Sequence, residues 1–515
     1  MNKYLDIHSL LNSDFYKKNH RLSWHTSHKE YGKLTSDLYK LLFNLKFKEH
    51  NNTIFEVSKT YIYANLSAYL SHVYDYVILT KNKIQPEYSR KGSIYVDYIW
   101  KKKSLSNFIE LNQVHFNKIL KKKNILNKIY SKFAEYIPKF FFKFIVVSKN
   151  NLIKDFLINN RFKYLTILTT YYDFSNKLHS NRIKILSNKI SISIISMIEK
   201  SHFYLADEHK KSINFIIESN LIKIDNDFKN YNGFLKNSKN IILGTETGSY
   251  SRFISTVSKN HGAKVWKFEH GGERCFFDDN GYWNSAFHNT DVFITYGKKW
   301  RDYVIEKAKE FDKNIEIKVI QSNYYKKIFD KYFGTKSKSL KKILYIPNSF
   351  VSEARQFPFQ DIKIIDPMLY DWQRYLIKFL KSNGYEVIYK IHPKGNSKLS
   401  DSLAKISSDR SSEPMINALK NIDKVICDRA STAFVESMCA GKDVIYIDFK
   451  LRQFNKTNFN DFNSVVKIIN GSEYDGRFSI DEEELLSALV SPQKNINLQK
   501  KLVKEYWLHG DDDES

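Results

Sequence analysis

Residues 385–393 read Tyr385-Glu-Val-Ile-Tyr-Lys390-Ile-His392-Pro393, and residues 424–448 read KVICDRASTAFVESMCAGKDVIYID. The first stretch has the apolar run of a strand buried on both faces, stopped by Pro393, which has no N–H to give a ladder. The second reads as a strand, the polar turn Asp428-Arg429-Ala430-Ser431-Thr432, a short helix, Gly441 as the helix stop, and a strand again. Strand–helix–strand units build parallel sheets, and open parallel sheets bind ligands outside the carboxyl ends of their strands. The pattern therefore expects His392, Ser431 and Thr432 at the carboxyl tips of neighbouring parallel strands. There, a helix starting at Ser431 or Thr432 would offer amides and hydroxyls to a phosphate. Taken singly, each motif reads equally well as an ordinary strand end or helix cap.

The same alternation extends outward in both directions. Apolar runs at 212–217, 240–243, 264–268 and 291–296 alternate with helical patterns at 249–260 and 298–312. A polar stretch at 333–341 reads as a linker. After it come strand 342–346, helix 368–382, strand 385–391, helix 412–420, strand 424–427, helix 431–440 and strand 443–447. Residues 481–506 read as a charged helical segment. Residues 1–200 read as mostly helical, with apolar residues at three- and four-residue spacing through 36–47, 105–120 and 124–145. The expected fold class is α/β: two Rossmann-like domains facing a cleft, with a largely helical, basic N-terminal region. The boundaries are residues 1–200 for that region, 201–335 for the first Rossmann-like domain, 336–480 for the second, and 481–515 for a closing helix and acidic tail.

A chain of 515 residues is too long for one core. Its net charge of +26 is uneven: residues 1–200 carry 34 Lys and Arg against 14 Asp and Glu, and the remainder 48 against 42. A basic field of this kind is either a solvated surface or a means of attracting nucleic acid, anionic lipid or an anionic glycan. The triplets Lys101–Lys103 and Lys121–Lys123 belong to that field. Three cysteines without CxxC spacing argue against a disulfide framework or a zinc site, and fit a reducing cytoplasm. The opening MNKYLDIHSLLNSDF lacks the apolar core of a signal peptide, and the most apolar stretch, Ile137 to Val147, is broken by Lys139 and Lys143. The expectation is a cytoplasmic protein, peripheral at most to the inner face of the membrane.

Further polar groups gather at expected strand ends. Glu269-His270-Gly271-Gly272-Glu273-Arg274 follows an apolar strand, and paired glycines allow a backbone to approach a ligand closely. Glu269, His270 and Glu273 are candidate general bases there. Glu246, in the earlier turn Gly244-Thr-Glu-Thr-Gly248, is a fourth. On the other side, Lys390, Arg429 and Glu436 accompany His392, Ser431 and Thr432. Glu436 reads as an ordinary helix residue or as a partner for ribose hydroxyls. Ser349 and Arg355 follow the strand at 342–346, and Arg355 could present a fork to a phosphate or carboxylate. No GxxxxGK[ST], no GxGxxG after a strand, no HExxH and no clean DxD at a strand end occur, so neither a metal nor a bound cofactor is expected.

EHGGE at 269–273, KIHP at 390–393, DRASTAFVESMCAGKDVIYID at 428–448 and the ending YWLHGDDDES at 506–515 resemble bacterial surface-carbohydrate transferases. These include Kdo-type capsule transferases, sialyltransferases and CDP-glycerol-dependent wall polymerases. The resemblance covers about residues 240–515, and residues 1–200 match nothing nameable. It implies a GT-B-like fold, with acceptor on the first Rossmann-like domain and nucleotide donor on the second. It also implies donor phosphate on His392 and Ser431/Thr432, and the reaction centre near Glu269-His270-Gly271. Two departures stand out: Glu269 replaces a frequent Gln before His-Gly, and an acidic-acidic-Gly base motif is missing.

The expected function is thus an inverting glycosyltransferase of capsule, lipopolysaccharide or similar glycan synthesis. A CMP-activated nonulosonate or Kdo-type donor and a glycan or lipid-linked acceptor are expected, with no nucleic-acid partner. The alternatives are a CDP-glycerol- or CDP-ribitol-type phosphotransferase on the same fold, and a basic nucleic-acid- or membrane-binding protein without catalysis. A sugar-nucleotide epimerase would need a Gly-rich, doubly acidic turn where this chain has Ser431 to Glu436.

Overall fold

The computed structural model describes residues 3–6, 21, 28–81, 84–87, 143–148, 150–159, 164–166, 181–201, 205–229, 235–244, 249–335, 341–350, 366–392, 398–474 and 477–508. The helical readings at 105–120 and over most of 124–145, both Lys triplets, Glu246 and Arg355 lie outside these residues.

Strands β1 (Lys3–Asp6) and β2 (Ile84–Glu87) form a small parallel pair. The first large sheet contains β3 (Phe144–Val146), β4 (Tyr164–Thr166), β5 (Asn240–Leu243), β6 (Lys264–Phe268), β7 (Val292–Thr295) and β8 (Glu316–Val319). All its pairings are parallel, in the order β4-β3-β5-β6-β7-β8. The second contains β9 (Lys342–Ile346), β10 (Glu386–Lys390), β11 (Asp409–Ser411), β12 (Lys424–Cys427), β13 (Asp443–Asp448), β14 (Lys467–Tyr474) and β15 (Arg477–Ile480). Its order is β11-β10-β9-β12-β13-β14-β15, parallel except for the last hairpin. Both orders reverse direction once, as Rossmann-like sheets do: between β3 and β5 in the first, and between β9 and β12 in the second.

Period-two alternation explains how both sheets are covered. Along β5, Ile242 points into one apolar cluster, while Ile241 and Leu243 point into another. In the second sheet Leu344, Val425 and Val444 face the first cluster, and Ile343, Ile426 and Ile445 face a third. β13 is buried along its whole length, as a central parallel strand requires.

Three expectations are corrected. β3 and β4 come from within residues 1–200, so the first sheet starts well before residue 201; Phe144 and Ile145, at the end of the stretch read as helical, begin a strand, Phe144–Val146, that pairs with β5. Second, 212–217 is no strand but part of the helix Asp207–Lys229, whose Ile213, Ile216 and Ile217 supply a helical buried stripe. The N-terminal helices His28–Asn44, Glu49–Lys81, Asn181–Lys200 and Asp207–Lys229 contribute to the cluster covering one face of the first sheet. Third, the strands bearing His392 and Ser431 are not neighbours, because β9 lies between β10 and β12.

One core runs through both sheets. The cluster containing Phe268, Trp283 and Trp300 continues without a break into Val425, Phe434, Tyr446 and Phe462. The chain segments also meet directly: Asp278 N donates to Gln453 O at 2.9 Å, Asn455 N to Phe276 O at 2.8 Å, and Phe277 stacks on Phe454. No helix among the described residues is long and apolar enough to cross a membrane.

Candidate functional site

The second sheet's reversal point is built by side chains after β9 and β12. Asp428, fully buried, accepts hydrogen bonds from Tyr345 Oη (2.7 Å), Trp372 Nε1 (3.0 Å) and the Asn348 amide. Burial raises its pKa to about 6 against the opposing pull of these donors. Arg429 Nη1 then reaches Asn348 Oδ1 at 3.3 Å, tying the two loops across the reversal point. Ser349, next in the loop, is half-buried.

The helix Thr432–Cys439 starts at this point. Ser431 occupies its N-cap position in extended conformation, but its hydroxyl makes no capping bond. Ser431 and Thr432 are half-buried at the helix end, where the positive pole of the dipole faces outward. His392 is exposed beyond the tip of β10. Two strand spacings separate β10 from β12, about 10 Å, a distance that the phosphate and sugar of one nucleotide could bridge.

Lys390 and Glu436 turn inward instead. Lys390 Nζ donates to Ile391 O at 3.1 Å and Ser411 O at 3.4 Å, and burial lowers its pKa, opposed by nearby Glu436. Glu436 accepts the hydroxyl of Tyr324, from the helix Asn323–Tyr332 that follows the first sheet's last strand. Burial raises the Glu436 pKa to about 7, with Tyr324 and Lys390 opposing. Glu436, read as an ordinary helix residue or as a partner for ribose hydroxyls, thus links the second sheet to the helix that follows the first.

Facing Thr432 is the loop after β6. Glu269 is completely buried: Oε1 accepts the amides of Gly271 and Gly272 at 3.4 and 3.3 Å, and Oε2 accepts the Tyr282 hydroxyl. Burial, then the proximity of Glu273, raises its pKa to about 7. Arg274 pairs with Asp279 and lies 4.2 Å over the Tyr282 ring. His270 is exposed. Gly272 has φ +78°, a left-handed conformation that glycine adopts without strain, and a Cβ there would meet Trp507 Nε1 at 2.8 Å.

Every carbonyl from 269 to 277 finds a donor. Asn150 Nδ2 serves Glu269 O, Tyr296 Oη serves His270 O, and Tyr325 Oη serves Gly271 O. Trp300 Nε1 and Trp507 Nε1 both donate to Gly272 O at 2.9 Å. The next two carbonyls accept the amides of Phe276 and Phe277. Cys275 O accepts from Asn458 Nδ2, Phe276 O from Asn455 N, and Phe277 O from Tyr303 Oη. Donors come from loops and helices beside both sheets and from the C-terminal turn Lys504–Leu508, so the loop is tied down on several sides. Sequence reasoning found the loop but missed Asn348, Asn458, Trp300 and Trp507. Asn458, Trp300 and Trp507 aim their polar tips at backbone carbonyls distant in sequence, and Asn348 takes the Arg429 guanidinium, which leaves no local pattern.

The two walls meet at Gly271. A Cβ on that residue would fall 2.6 Å from Thr432 Oγ1 and would strike the Glu273 carboxylate. Thus the loop after β6 and the helix after β12 abut, and glycine makes that approach possible. Among the described residues, no three His, Cys, Asp or Glu side chains group as metal ligands. A scan against protein-family models matched none, and no curated protein matches the chain.

Proposed function

We propose that the chain is a GT-B-type glycosyltransferase that takes a sugar from a cytidine-nucleotide donor and passes it to a glycan or lipid-linked acceptor. The observation that carries this reading is the abutment at Gly271: the carboxyl edges of two Rossmann-like sheets converge where Thr432 opens a helix. Ligands of open parallel sheets lie at such edges, and an anion is favoured at a helix N-terminus. The donor's phosphate sits at Ser431 and Thr432, with His392 donating a hydrogen bond to the departing nucleotide. These groups stabilise negative charge that grows as the glycosidic bond to phosphate breaks. The loop 269–273 presents the acceptor hydroxyl from the opposite wall. Choice of a CMP-activated nonulosonate or Kdo-type sugar rests on the motif resemblance.

The test is nucleotide release from a panel of CMP-, CDP- and UDP-activated donors. We expect release from one donor class, and a loss of about 100-fold or more in His392→Ala with an unchanged melting temperature. Full turnover in that variant would remove His392 from the donor site. A product linked through phosphate would reassign the chain to the phosphotransferases.

A further inference from the structure

Within the loop after β6, one polar group is left open. Glu273 is 9% exposed, its Oε2 is sealed from solvent, and that atom receives no hydrogen bond from any described residue. The other oxygen, Oε1, lies 3.9 Å from Arg274 Nε. This openness contrasts with the rest of the segment, where nine successive carbonyls are each supplied with a donor. A buried acceptor without a donor is uncommon in a folded protein and calls for a specific account, such as a catalytic role or an absent ligand.

The position of Oε2 gives that account. Oε2 and Thr432 Oγ1 close on the same point beside Gly271, where a Cβ would be too close to both. The helix Thr432–Cys439 begins there, with the Ser431 hydroxyl making no cap bond. A helix N-terminus, which favours an oxyanion, and a single carboxylate acceptor thus stand side by side at Gly271. A reacting pair has that polarity: a phosphate leaving on one side, a hydroxyl losing its proton on the other.

The rival carboxylate is differently placed. Both oxygens of Glu269 are occupied by the Gly271 and Gly272 amides and the Tyr282 hydroxyl, and its side chain is wholly enclosed. Glu269 shapes the loop that aims Glu273.

We propose, resting on the transferase reading above, that Glu273 is the general base of the reaction. The acceptor hydroxyl donates to Oε2. As its oxygen attacks the anomeric carbon of the donor sugar, the proton passes to the carboxylate. The bond from that carbon to the phosphate oxygen breaks, and the electron pair leaves with the nucleotide at Ser431 and Thr432. Glu273 afterwards releases the proton as the products leave.

The experiment compares Glu273→Gln and Glu273→Ala with the wild type as full-length chains. Two quantities are read: the melting shift produced by CMP, CDP or UDP, and turnover of the donor that the wild type accepts. We expect Glu273→Gln to keep the nucleotide-induced shift and the donor KM while kcat falls 100-fold or more, the range of general-base catalysis. Sodium formate should restore part of the turnover of Glu273→Ala, which a structural role would not allow. Near-wild-type kcat in Glu273→Gln overturns the proposal, as does absence of rescue by formate. Loss of the nucleotide-induced shift in Glu273→Gln also overturns it, by making the residue structural. A wild type that binds none of the three nucleotides refutes the transferase reading itself, a failure visible before any variant is measured.

Discussion

Glu269 and Glu273, four positions apart, have opposite environments, and that contrast is the core of the residue-scale account. Glu269 spends both oxygens on the loop, and burial raises its pKa from the ordinary 4.5 to about 7. A carboxyl with a raised folded-state pKa binds more proton in the folded than in the unfolded state between those two values. Its contribution to stability is therefore present below about pH 4.5 and is lost as pH rises towards 7. Glu436, raised to about 7, and Asp428, raised to about 6, act in the same direction. We expect the melting temperature to fall between pH 5 and pH 7.5, and to fall less steeply in Glu269→Gln, which cannot titrate. Equal slopes in the two proteins would show that Glu269 does not keep its proton in the fold. The amide of glutamine retains an acceptor for the Gly271 and Gly272 amides, so the loop itself should survive the change.

At the scale of elements, the C-terminal turn Lys504–Leu508 does more than close the chain. Trp507 is 1% exposed, packs against Phe276, and donates to Gly272 O beside Trp300. Trp507→Ala removes a large buried ring and one of two donors, a loss of about 3–5 kcal/mol by comparison with other buried aromatic truncations. Trp507→Phe keeps most of the ring volume and should cost less. Urea unfolding checks both: a lower midpoint at unchanged m-value is expected for the alanine variant, and an unmoved midpoint would contradict the clamping role. Elements of this kind divide into those the sequence makes plain and those it hides. Strands 240–243, 264–268, 342–346 and 424–427 are legible because buried parallel strands are short apolar runs bounded by turn residues. Phe144–Val146 was hidden in a longer apolar, lysine-bearing stretch, and Ile213–Ile217 has strand-like composition although its burial pattern is helical. β11, β14 and β15 carry too many polar residues to stand out. Candidate site residues were legible where a motif ends a strand, as at His392, Thr432 and Glu269–Glu273. They were illegible where tertiary partners decide the outcome: Tyr324 on Glu436 and Tyr282 on Glu269 appear only once helices pack.

For the whole molecule, the central feature is the joining of two Rossmann-like sheets through one core, with their carboxyl edges brought together at Gly271 and Thr432. The N-terminal helices cover the first sheet, and residues 1–200 as a whole carry most of the net positive charge of the chain. In addition, Arg21 binds Asp371 at 3.0 Å and donates to Phe478 O at 2.7 Å, so the N-terminal region also reaches the second sheet. In such an arrangement nucleotide binding should stabilise the entire fold, since a ligand that binds only the native state raises stability by mass action, about 2.7 kcal/mol at 100 times its Kd. The most direct measurement is therefore the melting temperature of the wild type and of Thr432→Val with CMP, CDP and UDP added in turn. The account predicts a rise with a cytidine nucleotide in the wild type and a much smaller rise in Thr432→Val. No rise with any of the three, or an equal rise in both proteins, would contradict a nucleotide site at the junction of the two sheets.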